Sequence, residues 1–184
     1  KLCTQMVSFL LMPLYTQILT TDEYGVVDII VTYGNLLLPI VTMQMEQALF
    51  RFLIDARYDE QEKKDVLSDI ISLVIIIVSL FTILYLCIAP LVKVKYKYYL
   101  LFNLWASVFS SMMLQSCRGL GKNIVYSLGS FISAAGQVIL NIFFIVVLRL
   151  GVNGMISAII LAHVISGIYV ALRINIFQYF KFRV

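Results

Sequence analysis

Charge is scarce in this chain: 14 Lys and Arg and 10 Asp and Glu among 184 residues, 13% in all. A soluble domain carries about twice that share, and the 61% of hydrophobic residues and mean hydropathy of +0.96 exclude one here. Cysteine is limited to Cys3, Cys87 and Cys117, all in apolar stretches without a C-x-x-C pair. That pattern argues against a disulfide framework or a metal centre, and His163 is the only histidine that could join one. No motif asks for a cofactor. The net charge of +4 is spread over short loops, which leaves no nucleic-acid footprint.

What the chain has in excess is long apolar runs. Six windows free of charge, residues 2–21, 29–45, 70–92, 98–117, 123–148 and 150–172, are each 17 to 26 residues long, and about 20 suffice to cross the hydrocarbon of a bilayer. The expected fold is an all-α polytopic membrane protein, a single six-helix lobe over 1–184 with spans at about 2–20, 24–48, 70–92, 98–117, 123–148 and 152–173. The first run is too long for a signal peptide and lacks a small-residue cleavage site. Ten Lys and Arg flank the side of the N-terminus and four the other, so both termini are expected in the cytoplasm of a multi-pass cell-membrane protein. Residues 51–69 read as a cytoplasmic polar connector, with Asp59/Lys63 and Glu60/Lys64 supporting a surface helix.

The second run, Tyr24 to Ala48, organises the rest. Its polar residues Asp28, Thr32, Asn35, Thr42 and Glu46, with Pro39 filling the gap, follow each other at steps of 4, 3, 4, 3 and 4, which places them on one helical face. A polar stripe on a membrane helix is costly unless it faces protein or water; a central carboxylate costs roughly 2.5 to 3.5 kcal/mol on insertion scales. Pro39 lacks an N–H and leaves the Asn35 carbonyl without its helical partner, so a kink is expected there; Pro13 does the same to the first run. Thr20 and Glu23 are spaced as a capping box for this second helix.

Later runs carry small and polar seams. Asn103, Ser107, Ser111 and Gln115 recur at fours; Gly129, Ser133 and Gly136 permit close helix approach; Ser130, Ala134, Gln137 and Asn141 form a polar line. The third run has few polar residues and is expected to face lipid. Asn35, Ser107, Gln137 and His163 all fall near the centres of their windows. Taken singly each is interhelical glue; taken together at one depth, with the Asp28–Glu46 stripe, they could equally line a hydrated cavity. The turn Arg118-Gly119-Leu120-Gly121-Lys122 contains G-x-G but joins two membrane spans and follows no strand, so it fails the context of a dinucleotide loop.

Pro13-Leu14-Tyr15 followed by Thr21-Asp22-Glu23-Tyr24-Gly25 resembles the opening of bacterial polysaccharide (O-antigen type) flippases in the multidrug/oligosaccharidyl-lipid/polysaccharide exporter superfamily. Ala48-Leu49-Phe50-Arg51-Phe52, Arg118-Gly119-Leu120-Gly121-Lys122 and Leu150-Gly151-Val152-Asn153-Gly154 are similar to later stretches of the same family, in order. The resemblance implies two six-helix lobes about a central cavity, this chain supplying the N-terminal lobe and lacking the C-terminal one. It implies alternating access that moves a polyprenyl-diphosphate-linked oligosaccharide between leaflets, with that glycolipid and membrane lipids as partners. Where such sequences often carry a basic residue after the first proline motif, this chain has Gln17. Arg51, matching the family's arginine at the end of span two, is then the preferred contact for a diphosphate.

The candidate cavity set is Arg51, Asn35, Asp28, Thr32, Thr42, Glu46, Gln137, Asn141 and His163. A cation-coupled multidrug exporter of the same superfamily would need a carboxylate inside the membrane, whereas Asp28 and Glu46 lie towards opposite ends of their helix. An intramembrane transferase would want paired acids or a His/Asp pair at the surface, which the sequence does not supply, so no enzyme is expected. A non-transporting assembly protein would pack its midplane polar groups dry.

Overall fold

The computed structural model describes residues 19–91 and 96–179; the first expected span, with Pro13, lies outside the described residues. Thr20 caps the first described helix, α1 (Thr21–Val41). Its backbone N–H donates to Glu23 Oε2 at 3.0 Å, and the Glu23 N–H donates to Thr20 Oγ1 at 3.3 Å. This is the reciprocal box read from the sequence, and it satisfies two donors a helix start leaves orphaned. Thr20→Ala is expected to cost about 1 kcal/mol, read as a lower thermal midpoint in detergent; an unchanged midpoint would show the cap to be idle.

The expected single helix Tyr24–Ala48 is corrected. α1 runs through Pro39 and stops at Val41, and a second helix, α2 (Met45–Asp55), starts after Gln44. The break lies downstream of the proline: the Gln44 N–H donates to the Pro39 carbonyl at 3.2 Å and the Thr42 N–H donates to the Leu38 carbonyl at 2.9 Å. The first of these is the 6→1 bond of a Schellman-type helix end, with Met43 in the left-handed position usually held by glycine. Met43 and Gln44 both have positive φ, 51° and 56°, a conformation costing roughly 1–2 kcal/mol per residue with a side chain. The strain sits in the junction between the two helices.

Residues 51–69 do not form a separate surface helix. α2 ends at Asp55, and α3 (Glu60–Ile88) begins in the polar stretch and continues straight into the apolar run, ending in a 3₁₀ turn, Ala89–Leu91. Asp59 explains the restart, its carboxylate accepting the N–H groups of Gln61 at 2.8 Å and Glu62 at 3.2 Å. With Asp59 so engaged, Lys63 pairs with Glu60 in place of the two expected ion pairs.

α4 (Lys97–Gly119), α5 (Asn123–Asn141, continued as a π-helix over Ile142–Val147), α6 (Gly151–Ile174) and a last turn, α7 (Ile176–Tyr179), complete the fold. Among the described residues there is no strand, and five helices are long and apolar enough to cross a membrane. The protein is an all-α, multi-pass membrane protein. α4 and α6 form its centre, with 56% and 50% of their apolar windows buried, against 17–22% for the helices around them. α6 packs most extensively on α5 and α4. α3 stands at the edge, burying Leu67, Ile71, Val74 and Val78 and exposing apolar residues such as Leu80, Ile83 and Leu84, as a lipid-facing helix should. Its far end is tied to α4 by the Tyr85 hydroxyl donating to the Lys97 carbonyl at 2.8 Å and Lys97 Nζ donating to the Ala89 carbonyl at 2.6 Å.

The small-residue seam of the fifth run is where two helices touch. A Cβ at Gly129 would stand 2.5 Å from Val170 Cγ2, and one at Gly136 would lie 3.7 Å from Ala162 Cβ. Ser166 Oγ donates to the Gly129 carbonyl at 2.8 Å across the same seam. Lipid tails supply no hydrophobic drive for helix association, so close backbone approach of this kind has to provide it.

Candidate functional site

α1 divides its circumference in three. Val27, Ile30, Gly34 and Val41 are buried against the bundle. Ile29, Leu36 and Ile40 are exposed on an apolar edge. Between them runs a polar edge on which Asp28, Thr32 and Asn35 are all exposed. A helix wholly against lipid would not carry that third strip, and a helix wholly in the core would not expose it. Pro39, half-buried, continues the same strip.

Thr42 and Glu46 leave the strip because the helix ends between them. They are 1% and 5% exposed, and the Thr42 hydroxyl is shared between the Leu38 carbonyl at 2.8 Å and Glu46 Oε2 at 2.7 Å. Glu46 lies in the first turn of α2, where the positive end of the helix dipole and unpaired N–H groups favour a carboxylate. The pair therefore secures the α1–α2 junction. Of the five stripe residues, the structure leaves three open and encloses two.

Arg51 is exposed on α2 and lines a cleft of about 600 Å³ with Gln44, Gln47, Ala48, Phe52 and Asp55. Asp55 stands one turn away, yet no ion pair joins it to Arg51 among the described residues. The guanidinium thus keeps its planar set of donors available. The cleft begins at Gln44, the second left-handed residue of the junction.

The other candidates are not gathered with these. Asn141 is fully buried at the start of the π-helical stretch, and neither of its amide atoms has a hydrogen-bond partner. Such an orphan costs about 1–3 kcal/mol. Gln137 and His163 are half-buried, as is Ser107, and no hydrogen bond links Asn35, Ser107, Gln137 and His163 to one another. Their shared depth is not a network. Asn103, read from the sequence as part of a packing seam, is buried with its amide against Gly34, where an added Cβ would stand 2.6 Å from Nδ2. That contact locks α1 to α4 and fixes which face of α1 turns outward.

A groove of about 460 Å³ between α3, α4, α6 and α7 is lined by Val74, Met112, Ile168, Ile176 and other apolar side chains. Its one polar group, the Trp105 indole N–H, already donates to Thr82 Oγ1 at 2.9 Å. It has nothing with which to hold a sugar or a phosphate. Among the described residues no cluster of His, Cys, Asp and Glu could hold a metal ion.

Neither a search of curated proteins nor one of solved structures gives a match to this chain. A family model described as polysaccharide biosynthesis protein matches residues 1–184. The all-α multi-pass architecture agrees with that assignment, and the chain is a member of the polysaccharide biosynthesis protein family.

Proposed function

We propose that this chain is the N-terminal six-helix lobe of a flippase that carries polyprenyl-diphosphate-linked oligosaccharide from the cytoplasmic to the outer leaflet by alternating access, and is not an enzyme. The observation that carries the reading is the exposed polar edge of α1, Asp28, Thr32 and Asn35, beside an exposed apolar edge of Ile29, Leu36 and Ile40 on the same helix. Such an edge is best accommodated by water shared with an opposing lobe, and a sugar chain passing through such water needs hydroxyl, amide and carboxylate partners. Arg51 would hold the diphosphate as a planar donor at the mouth of that space. The strained junction at Met43–Gln44 supports a hinge between the two. The preponderance of Lys and Arg at the end carrying Arg51 supports a cytoplasmic orientation for that end and for both termini, in the cell membrane. Gln137, Asn141 and His163 would contribute only if a second lobe reshapes their surroundings.

Cation-coupled drug export is the weaker reading, because Glu46 is committed to the α1–α2 junction and leaves Asp28 as the only open acid on the stripe. Single cysteines at Thr32, Asn35 and Thr42, introduced into a background in which Cys3, Cys87 and Cys117 are replaced, test the cavity. Positions 32 and 35 should react with a membrane-impermeant maleimide, and position 42 should react at least about tenfold more slowly because it is enclosed. Equal protection of all three from both sides of the membrane would remove the water-filled space and the flippase reading with it.

A further inference from the structure

A second cationic cleft lies on a different face of α2 from Arg51. It has a volume of about 550 Å³ and is lined by Phe50, Ile54 and Arg57, by Lys63 of α3, and by the Arg118–Asn123 turn between α4 and α5. The turn is built for close contact: a Cβ at Gly119 would stand 2.7 Å from Leu53 Cβ, and Gly121 has φ +75°. Glycine at the first position lets α2 lie against the end of α4, and glycine at the second reverses the chain. The Lys122 N–H donates to the Cys117 carbonyl at 3.0 Å and Cys117 Sγ donates to the Lys122 carbonyl at 3.2 Å, which closes the turn on itself. Arg57, Lys63 and Arg118 are thereby brought to one space from positions up to 61 residues apart.

No carboxylate lines this cleft. Lys63 is paired with Glu60, but neither arginine has an acidic partner among the described residues. The Arg118 guanidinium instead lies 4.2 Å from the Phe50 ring centroid and 5.9 Å from that of Tyr126, and Arg57 lies 4.5 Å from the Tyr58 ring. A guanidinium drawn to an aromatic ring by cation–π attraction forms no hydrogen bond with it, so its N–H donors remain open to an acceptor. The two arginines without acidic partners repel each other across the concave space, and a tetrahedral oxyanion relieves that repulsion while filling their free donors.

We propose that this cleft is a phosphate-binding site, separate from the Arg51 cleft and independent of the flippase reading. The chemistry admits a phospholipid headgroup or a soluble diphosphate. Its place at the ends of two membrane helices, beside Ile124 and Tyr58, which are 78% and 86% exposed, sets it at headgroup level with apolar side chains turned outward.

The test uses the full chain in an Arg51→Ala background, so that the first cleft contributes nothing. Delipidated protein is titrated with inorganic diphosphate by thermal shift, and protein from phosphatidylglycerol nanodiscs is weighed by native mass spectrometry for retained lipid. Both are repeated with Arg57→Gln/Arg118→Gln and with a charge-matched control, Arg149→Gln/Arg173→Gln. Loss of the two cleft arginines should weaken binding roughly 100-fold, about tenfold for each, with the control unchanged. Arg57→Lys/Arg118→Lys, which keeps the charge but not the fork, should fall between. Retained phosphatidylglycerol identifies a lipid headgroup, and stabilisation by diphosphate without retained lipid identifies a soluble one. No binding of either, or equal loss in the control, overturns the site.

Discussion

On the proposed function, Arg51→Ala is expected to abolish delivery of lipid-linked glycan to the outer leaflet while the protein still inserts at its normal level. The separation of the two effects follows from the position of the side chain, which is exposed on α2 and makes no ion pair among the described residues. An exposed side chain of this kind contributes within about 0.5 kcal/mol to stability when removed. Its contribution to a diphosphate bound as proposed would be larger: each hydrogen bond to a charged group is worth about 1.5–3 kcal/mol, or roughly 10- to 100-fold in affinity. Arg51→Lys keeps the charge and loses the bidentate geometry, so it should restore only part of the transport. The measurement is surface polysaccharide per unit of membrane-inserted protein. Full surface polysaccharide in Arg51→Ala removes Arg51 from the mechanism, and a drop in inserted protein that matches the drop in polysaccharide makes its role structural.

The membrane class, the capping box of α1, the lipid-facing third run and the close-packed seam of the fifth are all legible in the sequence, because each depends on contacts within a few residues or on composition over a whole window. The α1–α2 break is not. Periodicity counted through Pro39 stays in phase to Glu46, and the residues that adopt positive φ, Met43 and Gln44, carry none of the glycine or asparagine signal that announces such a turn. The five-residue stripe was therefore too long by two. The Arg118–Lys122 turn shows the converse limit: its G-x-G is rightly refused as a nucleotide loop, yet its glycines serve a different end. They make room for Leu53 and reverse the chain, and the partners this brings together, Arg57 and Lys63, are remote in sequence and carry no shared motif. Polar midplane residues mislead in a third way. Equal depth on different helices does not set their azimuth, and Asn35 faces outward while Ser107, Gln137 and His163 are half-buried.

Gly129→Leu should be the most destabilising single change on the described fold. The contact it disrupts lies between α5 and α6, the most extensively packed pair, at a point where even a methyl group would meet Val170 Cγ2 at 2.5 Å and Leu114 Cδ2 at 3.1 Å. Overpacking a tight contact typically costs about 1–3 kcal/mol, and a leucine on a backbone that cannot retreat from two neighbours belongs at or above the top of that range. The hydrogen bond across the same seam is the smaller effect. Ser166→Ala removes the 2.8 Å bond to the Gly129 carbonyl, and interhelical bonds in membranes average about 0.6 kcal/mol. If sterics dominate, Gly129→Leu lowers the temperature at which the protein loses its monodisperse elution profile several times further than Ser166→Ala. Gly25→Ala, where no atom lies within 4 Å of the added Cβ, leaves that temperature unchanged or slightly raised, since alanine is favoured over glycine in a helix by up to about 1 kcal/mol. A Ser166→Ala shift equal to that of Gly129→Leu would mean that the hydrogen bond holds α5 to α6 and the close approach is incidental. Because α6 also carries His163 and packs against α4, which in turn fixes α1 through Asn103, loosening this seam should also blur the orientation of the α1 polar edge. Thiol reactivity at Thr32 and Asn35 should then lose its contrast with that at Thr42 before the protein aggregates.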